Sequence, residues 1–363
     1  MKIAIDARMI DSSGIGTYIK TCLKSEIYSV ALGDAKKINK YFPNIKVIPF
    51  DEKIYGVKEQ FCFPSKALKK EKIDLLHVPH YNIPLFYRGK TIVTIHDLTH
   101  LYFPEFLPNV FARFYARFML KKAAKKSIRI LTVSHFVKDE IATKIKIPKT
   151  KISVIYNACD KDFKVKNKSE IQYLYDKFSI PRNKKIILFV GNLKPHKNLS
   201  SLISAYQQSN SSDNAVLLLV GKSFDKDSND KCNFDKGTII KTGAVSKNEL
   251  IDIYNLSDLF AFPSLSEGFG IPPLEAMACS TPVICSNTTS LPEVVGDAAV
   301  MFNPHNTNEI ASAIDKVLND NNLSDELIQK GFERIKLFDE ETIYKMLKEF
   351  FQNNERLFDK YKK

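Results

Sequence analysis

The sequence contains no tryptophan, no long apolar run, no paired cysteines and no excess of acidic residues. Its six cysteines have no CxxC pair and no histidine at metal spacing, so we expect neither disulfides nor a metal site, but small buried side chains. No apolar run approaches the roughly 20 residues that a membrane-spanning helix needs. The opening MKIAIDARMI lacks the apolar core and cleavage site of a secretory signal, so the expected location is the cytoplasm.

The charge balance is strongly basic, with 54 Lys and Arg against 41 Asp and Glu and a formal net charge of +13. Such a surplus favours an anionic partner, whether nucleic acid, a phosphorylated substrate or a lipid surface. A composition bias without functional meaning explains it equally well. A nucleic-acid-binding protein is the non-enzymatic alternative, but no aromatic-basic reading motif is present, and we expect no nucleic-acid partner.

Short β-branched apolar runs alternate with helical stretches, which is typical of parallel sheets built from β-α units. They form two series: 2–5, 75–79, 91–97, 128–134 and 152–157, then 185–191, 215–221, 238–243, 258–264, 281–287 and 298–304. The pattern predicts an α/β protein with two Rossmann-like doubly wound domains facing across a cleft. We place the domains at 1–165 and 166–340, with a helix at 341–363 that could pack back on the first.

Parallel sheets of this kind bind ligands at the carboxyl ends of their strands. Gly14 and Gly16 follow the first strand and would let backbone N–H groups approach an anion, although a plain tight turn explains them equally well. A dinucleotide fingerprint is not supported, because Ile19 stands in place of its third glycine. His96 and Asp97 end the run 91–97, where a core histidine is the common alternative to a functional one.

The segment FVGNLKPHKNL joins a strand to a helix in the second series. Lys197 lies just before that helix, where its charge and the free N–H groups of the helix could hold a phosphate. The order of residues is not that of a Walker A loop. Lys194 and His196 are expected to be solvated.

In SEGFGIPPLEAM, Glu267 and Glu275 lie on either side of a Gly-Phe-Gly turn. The two prolines suit the first turn of a helix, within which we place Glu275. Its carboxylate could bind a ribose diol. The N–H groups that would face an anion belong to Phe269, Gly270 and Ile271. The stretch therefore predicts a nucleoside diphosphate site with a hydroxyl-rich sugar near Glu267.

Five segments together resemble the retaining GT-B glycosyltransferases of family 4: the stretch above, STPVICSNTTSLPEVVGDAA, GNLKPHKNL, KTGAVSKNEL and TVSHFVKDEI. The segment IDARMIDSSGIGTYI is similar to the mannosyl- and rhamnosyltransferases of bacterial surface polysaccharide assembly. Two positions depart from the family pattern. Thr17 replaces its usual arginine, and Ala158 in YNACD replaces its usual glycine.

The resemblance implies a metal-independent, retaining transfer of a hexose from a nucleotide sugar to a glycan or lipid-linked glycan, with no other cofactor. GDP-mannose is the favoured donor, and a UDP- or dTDP-sugar is the alternative. By resemblance, Lys197 stabilises the leaving diphosphate, Glu267 binds sugar hydroxyls and Glu275 binds the ribose. His96, beside Asp97, contacts the sugar near the reacting carbon, and Gly14 and Gly16 line the acceptor and phosphate side. The implied donor site also includes Gly191, Asn192, Gly243, Val245, Gly268, Phe269, Gly270 and Ile271.

Two further segments leave alternatives open. A metal-dependent transferase would need an Asp-x-Asp motif, and DKD occurs at 160–162 and 225–227, both in Lys-rich stretches typical of solvated surface. Residues 103–131 carry seven Lys or Arg against one acid. This helix could lie on an anionic membrane and bring the protein to the inner face of the cytoplasmic membrane. The commoner reading is a core-packing helix, with one apolar face that comprises Phe111, Phe114, Tyr115, Phe118 and Met119.

Overall fold

The computed structural model describes residues 1–102, 109–224 and 237–360. The chain forms two compact units, one of Met1–Ala158 with Glu340–Lys363 and one of Cys159–Asp339. The first boundary thus lies before Cys159 and not after residue 165. Cys159 already belongs to the second unit, because its N–H donates to the carbonyl of Phe338 (2.7 Å). Asn255 binds the backbone of Lys166 in the same unit (2.7 Å).

The strands of both units are short and mostly buried. The first unit contains β1 (Ile3–Asp6), β2 (Val30–Gly33), β3 (Lys46–Pro49), β4 (Leu75–Val78), β5 (Thr91–Ile95), β6 (Arg129–Thr132) and β7 (Ile152–Val154). The second contains β8 (Lys185–Val190), β9 (Ala215–Val220), β10 (Thr238–Gly243), β11 (Leu259–Phe262), β12 (Val283–Ser286) and β13 (Ala299–Phe302).

Helices connect these strands. Those before β8 are α1 (Ser13–Lys24), α2 (Ala35–Asn39), α3 (Val57–Phe61), α4 (Ser65–Lys70), α5 (Thr99–Tyr102), α6 (Val110–Lys126), α7 (His135–Lys144) and α8 (Tyr173–Lys177). Those after β8 are α9 (Leu199–Gln208), α10 (Lys247–Leu256), α11 (Ile271–Ala278), α12 (Leu291–Val295), α13 (Thr307–Asn319), α14 (Asn321–Ile335) and α15 (Glu340–Lys360).

Both sheets have parallel strand pairs and the strand order of a doubly wound fold. Over the described residues the first sheet runs β3-β2-β1-β4-β5-β6-β7 and the second β10-β9-β8-β11-β12-β13. The order reverses between β1 and β4 in the first sheet and between β8 and β11 in the second. In such sheets the crevice that binds ligands opens at this reversal, outside the carboxyl ends of the strands.

Each unit has its own apolar core. The continuous runs of β5 and β9 are buried at every position, as expected for strands covered on both faces. In the first unit, α15 buries Ile343, Leu347 and Phe351 against the core that contains β1 and α1. This helix therefore belongs to the first unit although it ends the chain.

The predicted strands are present within a few residues of their predicted bounds, but β2 and β3 are absent from the prediction. β2 is the four-residue run VALG, which ends in glycine. β3 reads KVIP and buries only Ile48, so it lacks the apolar run of a central strand. No described helix is long and apolar enough to span a bilayer.

Candidate active site

The loops that follow β8 and β11 meet at the point where the order of the second sheet reverses. The strands are neighbours in the sheet, with Leu259 beside Ile187 and Phe260 beside Leu188. Beyond their ends, the N–H of Leu265 donates to the carbonyl of His196 (2.7 Å). This backbone bond fixes the two loops against each other, and each carries one residue that the sequence predicted to be catalytic.

Those two residues, Lys197 and Glu267, form an ion pair, with Nζ of Lys197 2.6 Å from Oε1 of Glu267. Their side chains are 15% and 14% exposed, so the pair is screened less than a surface pair but is accessible to a ligand. The lysine Nζ also lies 5.2 Å from the ring centroid of Phe262, the last residue of β11. A positive charge and a carboxylate thus lie side by side beyond the carboxyl ends of β8 and β11.

The Glu267 loop is held by the segment between β12 and α12. The N–H of Glu267 donates to Oγ1 of Thr289 (3.1 Å). Oγ of the fully buried Ser290 lies 2.9 Å from the carbonyl oxygen of Glu267 and 2.8 Å from that of Phe269. Phe269 is itself buried against Phe338. Sequence reasoning missed Thr289 and Ser290, although a Ser/Thr cluster just before a Pro-containing helix is a recognisable loop signal.

Gly270 joins this loop to α11. Its φ of 107° lies in the left-handed region, and a Cβ there would lie 2.6 Å from Cδ2 of Leu291, so both conformation and packing require glycine. The two prolines occupy the first turn of α11, as predicted. The placement of Glu275 within that turn is wrong, however. Because the left-handed glycine starts the helix at Ile271, Glu275 is the fifth helical residue.

Glu275 contacts the neighbouring helix α10. Oη of the buried Tyr254 donates to Oε2 of Glu275 (3.0 Å). Burial raises the pKa of Glu275 to about 7, against the opposing effect of the Tyr254 hydrogen bond, while nearby Asp160 raises it further and Lys247 lowers it. Within the described residues, no hydrogen bond links Glu275 to the Lys197–Glu267 pair. The carboxyl therefore forms a separate acceptor that changes charge near neutral pH.

The first DKD segment is an ion-pair site on the surface. Nζ of Lys247 lies 2.7 Å from Asp160 and 2.6 Å from Asp162. The second DKD, at 225–227, lies outside the described residues. In the part of the chain that the structure describes, no group of three or more His, Cys, Asp or Glu is arranged to hold a metal ion.

Three glycines lie at the carboxyl ends of β8, β9 and β10. The N–H of Gly191 donates to the carbonyl of Val220 (3.0 Å), and that of Gly221 donates to the carbonyl of Gly243 (3.1 Å). A Cβ on Gly221 would lie 1.9 Å from the carbonyl oxygen of Gly191, so the chains approach too closely for a side chain. The predicted donor-site residues Gly191 and Gly243 thus lie at one edge of the sheet, joined by Gly221, which was not predicted.

The remaining predicted residues of this unit lie in the same loops. Oδ1 of Asn192 accepts the N–H of Lys194 (3.1 Å) and shapes the turn after β8. Val245 is half-buried between β10 and α10. Lys194 is exposed as predicted, but the prediction for His196 is wrong, because its side chain is only 9% exposed. A one-turn 3₁₀ helix at Pro195–Lys197 turns His196 inward and leaves Lys197 at the mouth.

In the first unit, His96 and Asp97 follow the end of β5. Nε2 of His96 donates to the carbonyl of Pro79 (3.0 Å), and burial lowers the pKa of His96. The ring of Tyr18 meets this imidazole edge-on at 4.9 Å. Oδ1 of Asp97 accepts the N–H of Thr99 (2.8 Å), a role that shapes the start of α5. His96 is therefore held as a neutral ring at the strand end, whereas Asp97 shapes the following turn.

Gly14 and Gly16 both lie in the first turns of α1, but their surroundings differ. A Cβ on Gly16 would lie 2.5 Å from the carbonyl oxygen of Ile10, which makes glycine a packing requirement there. A Cβ on Gly14 would meet nothing within 4 Å. Only Gly14 therefore leaves open space that a ligand could occupy.

A buried network at the reversal of the first sheet was missed by sequence reasoning. Arg8 Nη2 lies 2.6 Å from Asp6, and His80 Nε2 lies 3.4 Å from the same carboxylate. Arg8 also lies 3.6 Å from Glu59, and all of these side chains are nearly fully buried. Although burial opposes it, Arg8 and His80 hold the pKa of Asp6 below its usual range. The available signal was the polar ending of the first strand, IDAR.

The helix α6 does not bury its whole predicted apolar face. Met119 is buried, but Phe111, Phe114 and Phe118 are 85%, 74% and 40% exposed. Core packing therefore explains only part of the apolar face of α6. The prediction of buried cysteines is confirmed for Cys22, Cys159, Cys279 and Cys285 and is wrong for Cys62, which is exposed. Cys232 lies outside the described residues.

Two family descriptions match the chain, one for each half. Residues 33–163 match Glycosyltransferase Family 4, and residues 173–334 match Glycosyl transferases group 1. The chain is 34% identical to the O-antigen chain mannosyltransferase RfbU of Salmonella typhimurium, over 67% of this chain and 64% of the relative. It is 31% identical to the O-antigen chain mannosyltransferase B of Escherichia coli, over 75% of this chain and 72% of the relative. The match to the Salmonella protein thus spans slightly less than two thirds of that protein.

A solved structure agrees in fold. The HepE protein of Anabaena in complex with UDP-glucose superposes with a TM-score of 0.77 at 18% identity, covering 97% of this chain and all of that one (100%). At this identity the likeness speaks for the fold alone. The two family matches, together with the Escherichia coli relative that aligns over most of its length, establish the family. The chain belongs to the family 4 glycosyltransferases, and its two Rossmann-like units are those of the GT-B fold.

Proposed function

We propose that the protein is a retaining, metal-independent glycosyltransferase that moves a hexose from a nucleotide sugar to a growing, lipid-linked surface glycan. The second unit binds the donor, and the first binds the acceptor. The observation that carries the proposal is the Lys197–Glu267 pair at the carboxyl ends of β8 and β11. Ligands of doubly wound sheets bind at this place.

The chemistry of the pair suits the breaking of a glycosyl–phosphate bond. The bond between the anomeric carbon and the diphosphate oxygen breaks, and the acceptor oxygen forms the new bond to that carbon. Lys197 neutralises negative charge on the leaving diphosphate, and a preorganised charge of this kind is often the largest contribution to catalysis. Glu267 accepts hydrogen bonds from sugar hydroxyls. The departing phosphate takes the proton of the acceptor hydroxyl.

The nucleotide is proposed to lie between Glu267 and Glu275. Glu275 accepts hydrogen bonds from the ribose hydroxyls, in addition to the one that Tyr254 already donates to its Oε2. Gly191 after β8 and Gly243 at the end of β10 place no side chain between the backbone and the nucleotide. The N–H groups at the start of α11 face the diphosphate.

Mannose is the favoured sugar, because two similar proteins are named O-antigen chain mannosyltransferases. GDP-mannose is accordingly the proposed donor. The experiment is a panel of GDP-mannose, UDP-glucose, UDP-N-acetylglucosamine and dTDP-rhamnose, scored by thermal stabilisation and by slow hydrolysis. We expect GDP-mannose to stabilise the protein most and to be hydrolysed with retention at the anomeric carbon. Preference for a UDP- or dTDP-sugar would overturn the choice of donor, and no response to any donor would overturn the function.

The acceptor is proposed to be bound at a membrane surface that α6 contacts. In α6, the exposed side chains of Phe111, Phe114 and Phe118 alternate along the sequence with two cations, Arg113 and Arg117. Aromatic side chains flanked by Lys and Arg suit the boundary of an anionic bilayer.

A further inference from the structure

The first unit carries a pocket at the end of its sheet that lies opposite the predicted catalytic histidine, His96. The pocket has a volume of about 680 Å³ and lies at the amino ends of the strands, where Thr91 begins β5 and Arg129 begins β6. His96 follows the opposite, carboxyl end of β5. The wall is completed by Lys151, which directly precedes β7, and by Leu357 of α15.

The lining of this basic pocket has charge of one sign. Within the described residues it includes six cationic side chains and no acidic one. The cations are Arg88, Lys90, Lys125, Lys126, Arg129 and Lys151. Basic side chains on protein surfaces are usually interspersed with acidic ones, so this lining is unusual even for a protein with an overall charge of +13.

The hydrogen-bond partners of these cations are neutral. Nζ of Lys126 donates to the carbonyls of Pro84 (2.8 Å) and Leu85 (2.7 Å), and Nζ of Lys151 donates to the carbonyl of Lys125 (2.9 Å). Burial lowers the pKa of Lys126 and of Lys151, and at Lys151 the nearby Arg129 adds to the lowering. Among the described residues, no carboxylate therefore compensates the positive charge of these two lysines.

The other four cations of the lining also have neutral hydrogen-bond acceptors, or none, among the described residues. Nε of Arg129 donates to Oδ1 of Asn354 (2.8 Å), and Nζ of Lys90 donates to the carbonyl of Phe358. In the described part of the chain, the side chains of Arg88 and Lys125 have no hydrogen-bond acceptor, and none of the six forms an ion pair with a carboxylate. Several N–H donors thus remain for a ligand.

An independent observation comes from Ser127, which also lines the pocket. The residue is 2% exposed, and its Oγ is buried without a hydrogen-bond partner among the described residues. An unsatisfied buried hydroxyl is costly and calls for an explanation. Another lining residue is Gly89, where a Cβ would lie 2.2 Å from Oη of Tyr87, which also lines the pocket.

We propose that this basic pocket binds a phosphate group, carried either by an anionic lipid headgroup or by a free phosphate or diphosphate. Phosphate oxygens accept hydrogen bonds from Arg, Lys and hydroxyl groups together and neutralise their charge. The volume leaves room for the rest of the ligand. The carboxyl end of the α6 dipole opposes an anion, but Lys125 and Lys126 in its last turn offset this. If the basic side chains served only to satisfy backbone carbonyls, the unsatisfied hydroxyl of Ser127 and the charges of Arg88 and Lys125 would have no explanation.

The test uses the full-length protein and two probes. Inorganic pyrophosphate is titrated by calorimetry, and vesicles of phosphatidylcholine with and without phosphatidylglycerol are used for co-sedimentation. The pocket variant is Arg88→Gln with Lys125→Gln, which removes two charges that have no partner among the described residues. The matched control is Lys66→Gln with Lys69→Gln, two exposed lysines of α4 outside the pocket. Ser127→Ala is the third variant.

We expect the pocket variant to bind the active probe about tenfold or more weakly, as the loss of charged hydrogen bonds requires. Ser127→Ala should bind a few-fold more weakly without a loss of melting temperature, since it removes an unsatisfied buried hydroxyl. The control should remain within about twofold of the native protein. If only vesicle binding responds, the phosphate belongs to a lipid, and if pyrophosphate responds, it is free. No binding of either probe, or an equal loss in the control, would overturn the proposal.

Discussion

At the residue scale, Glu275 connects the structure to a measurable pH dependence. Burial raises the pKa of its carboxyl to about 7, whereas an exposed glutamate has a pKa of about 4.3. The ionised form is the better acceptor for ribose hydroxyls. We therefore expect the affinity for the nucleoside diphosphate to rise as pH increases through about 7. In Glu275→Gln the affinity should be lower and its rise through this range smaller, because only the ionisation of the terminal phosphate, with a pKa of about 6, remains. Calorimetry measures both profiles.

Tyr254→Phe is the control, because it removes the hydroxyl that donates to Glu275 and lowers its pKa. The midpoint of the affinity profile should then move to higher pH. The same group affects stability with a definite sign. Its pKa is higher in the folded than in the unfolded chain, so the free energy of unfolding falls as pH rises from about 4.3 to 7, by at most about 4 kcal/mol. A native pH profile in Glu275→Gln would contradict this account.

At the element scale, the proposed membrane contact explains why α6 exposes several phenylalanine side chains. Phe111 and Phe114 are 85% and 74% exposed, and burying such side chains in the bilayer boundary would stabilise the bound state. We expect Phe111→Ser with Phe114→Ser to reduce flotation with vesicles containing phosphatidylglycerol by about tenfold, without a loss of melting temperature, since neither residue belongs to the core.

The matched control for α6 is Val165→Ser with Leu337→Ser, two residues of the second unit that are 55% and 51% exposed. This variant should float like the native protein. The native protein should bind weakly to vesicles of pure phosphatidylcholine, because the flanking arginines are attracted by anionic lipids and not by neutral ones. Flotation that is indifferent to lipid charge, or an equal loss in the control, would contradict a role for α6 at the membrane.

The sequence predicted elements well where local pattern decides them and poorly where packing does. The runs IILFV of β8 and AVLLLV of β9 are apolar throughout and so were visible, whereas β3 buries only Ile48. The burial of His196 depends on a 3₁₀ turn whose orientation is set by a backbone bond from Leu265. That contact joins residues nearly 70 positions apart, so no local pattern contains it.

At the scale of the whole molecule, the alternation of strands and helices was sufficient to predict two doubly wound units. It also indicated that α15 could return to the core of the first unit. It placed the first boundary after residue 165 and not before Cys159, because Cys159 is held in the second unit by a bond to Phe338, far away in the chain. The predicted site residues were found one loop at a time from their positions after strands. Their pairing was not predictable, since Lys197 and Glu267 meet only because β11 lies beside β8, a neighbour that is not consecutive in the chain.

The most direct test of the central claim is the turnover of the preferred nucleotide sugar by Lys197→Met and by Glu267→Gln. Each should lose about 100-fold or more in kcat, as expected when a group that stabilises transition-state charge is removed. The same substitutions in the exposed pair Lys330 and Glu326, whose charged atoms are 2.7 Å apart, are the control and should leave kcat unchanged. Near-native turnover in Lys197→Met and Glu267→Gln would contradict the assignment of the active site.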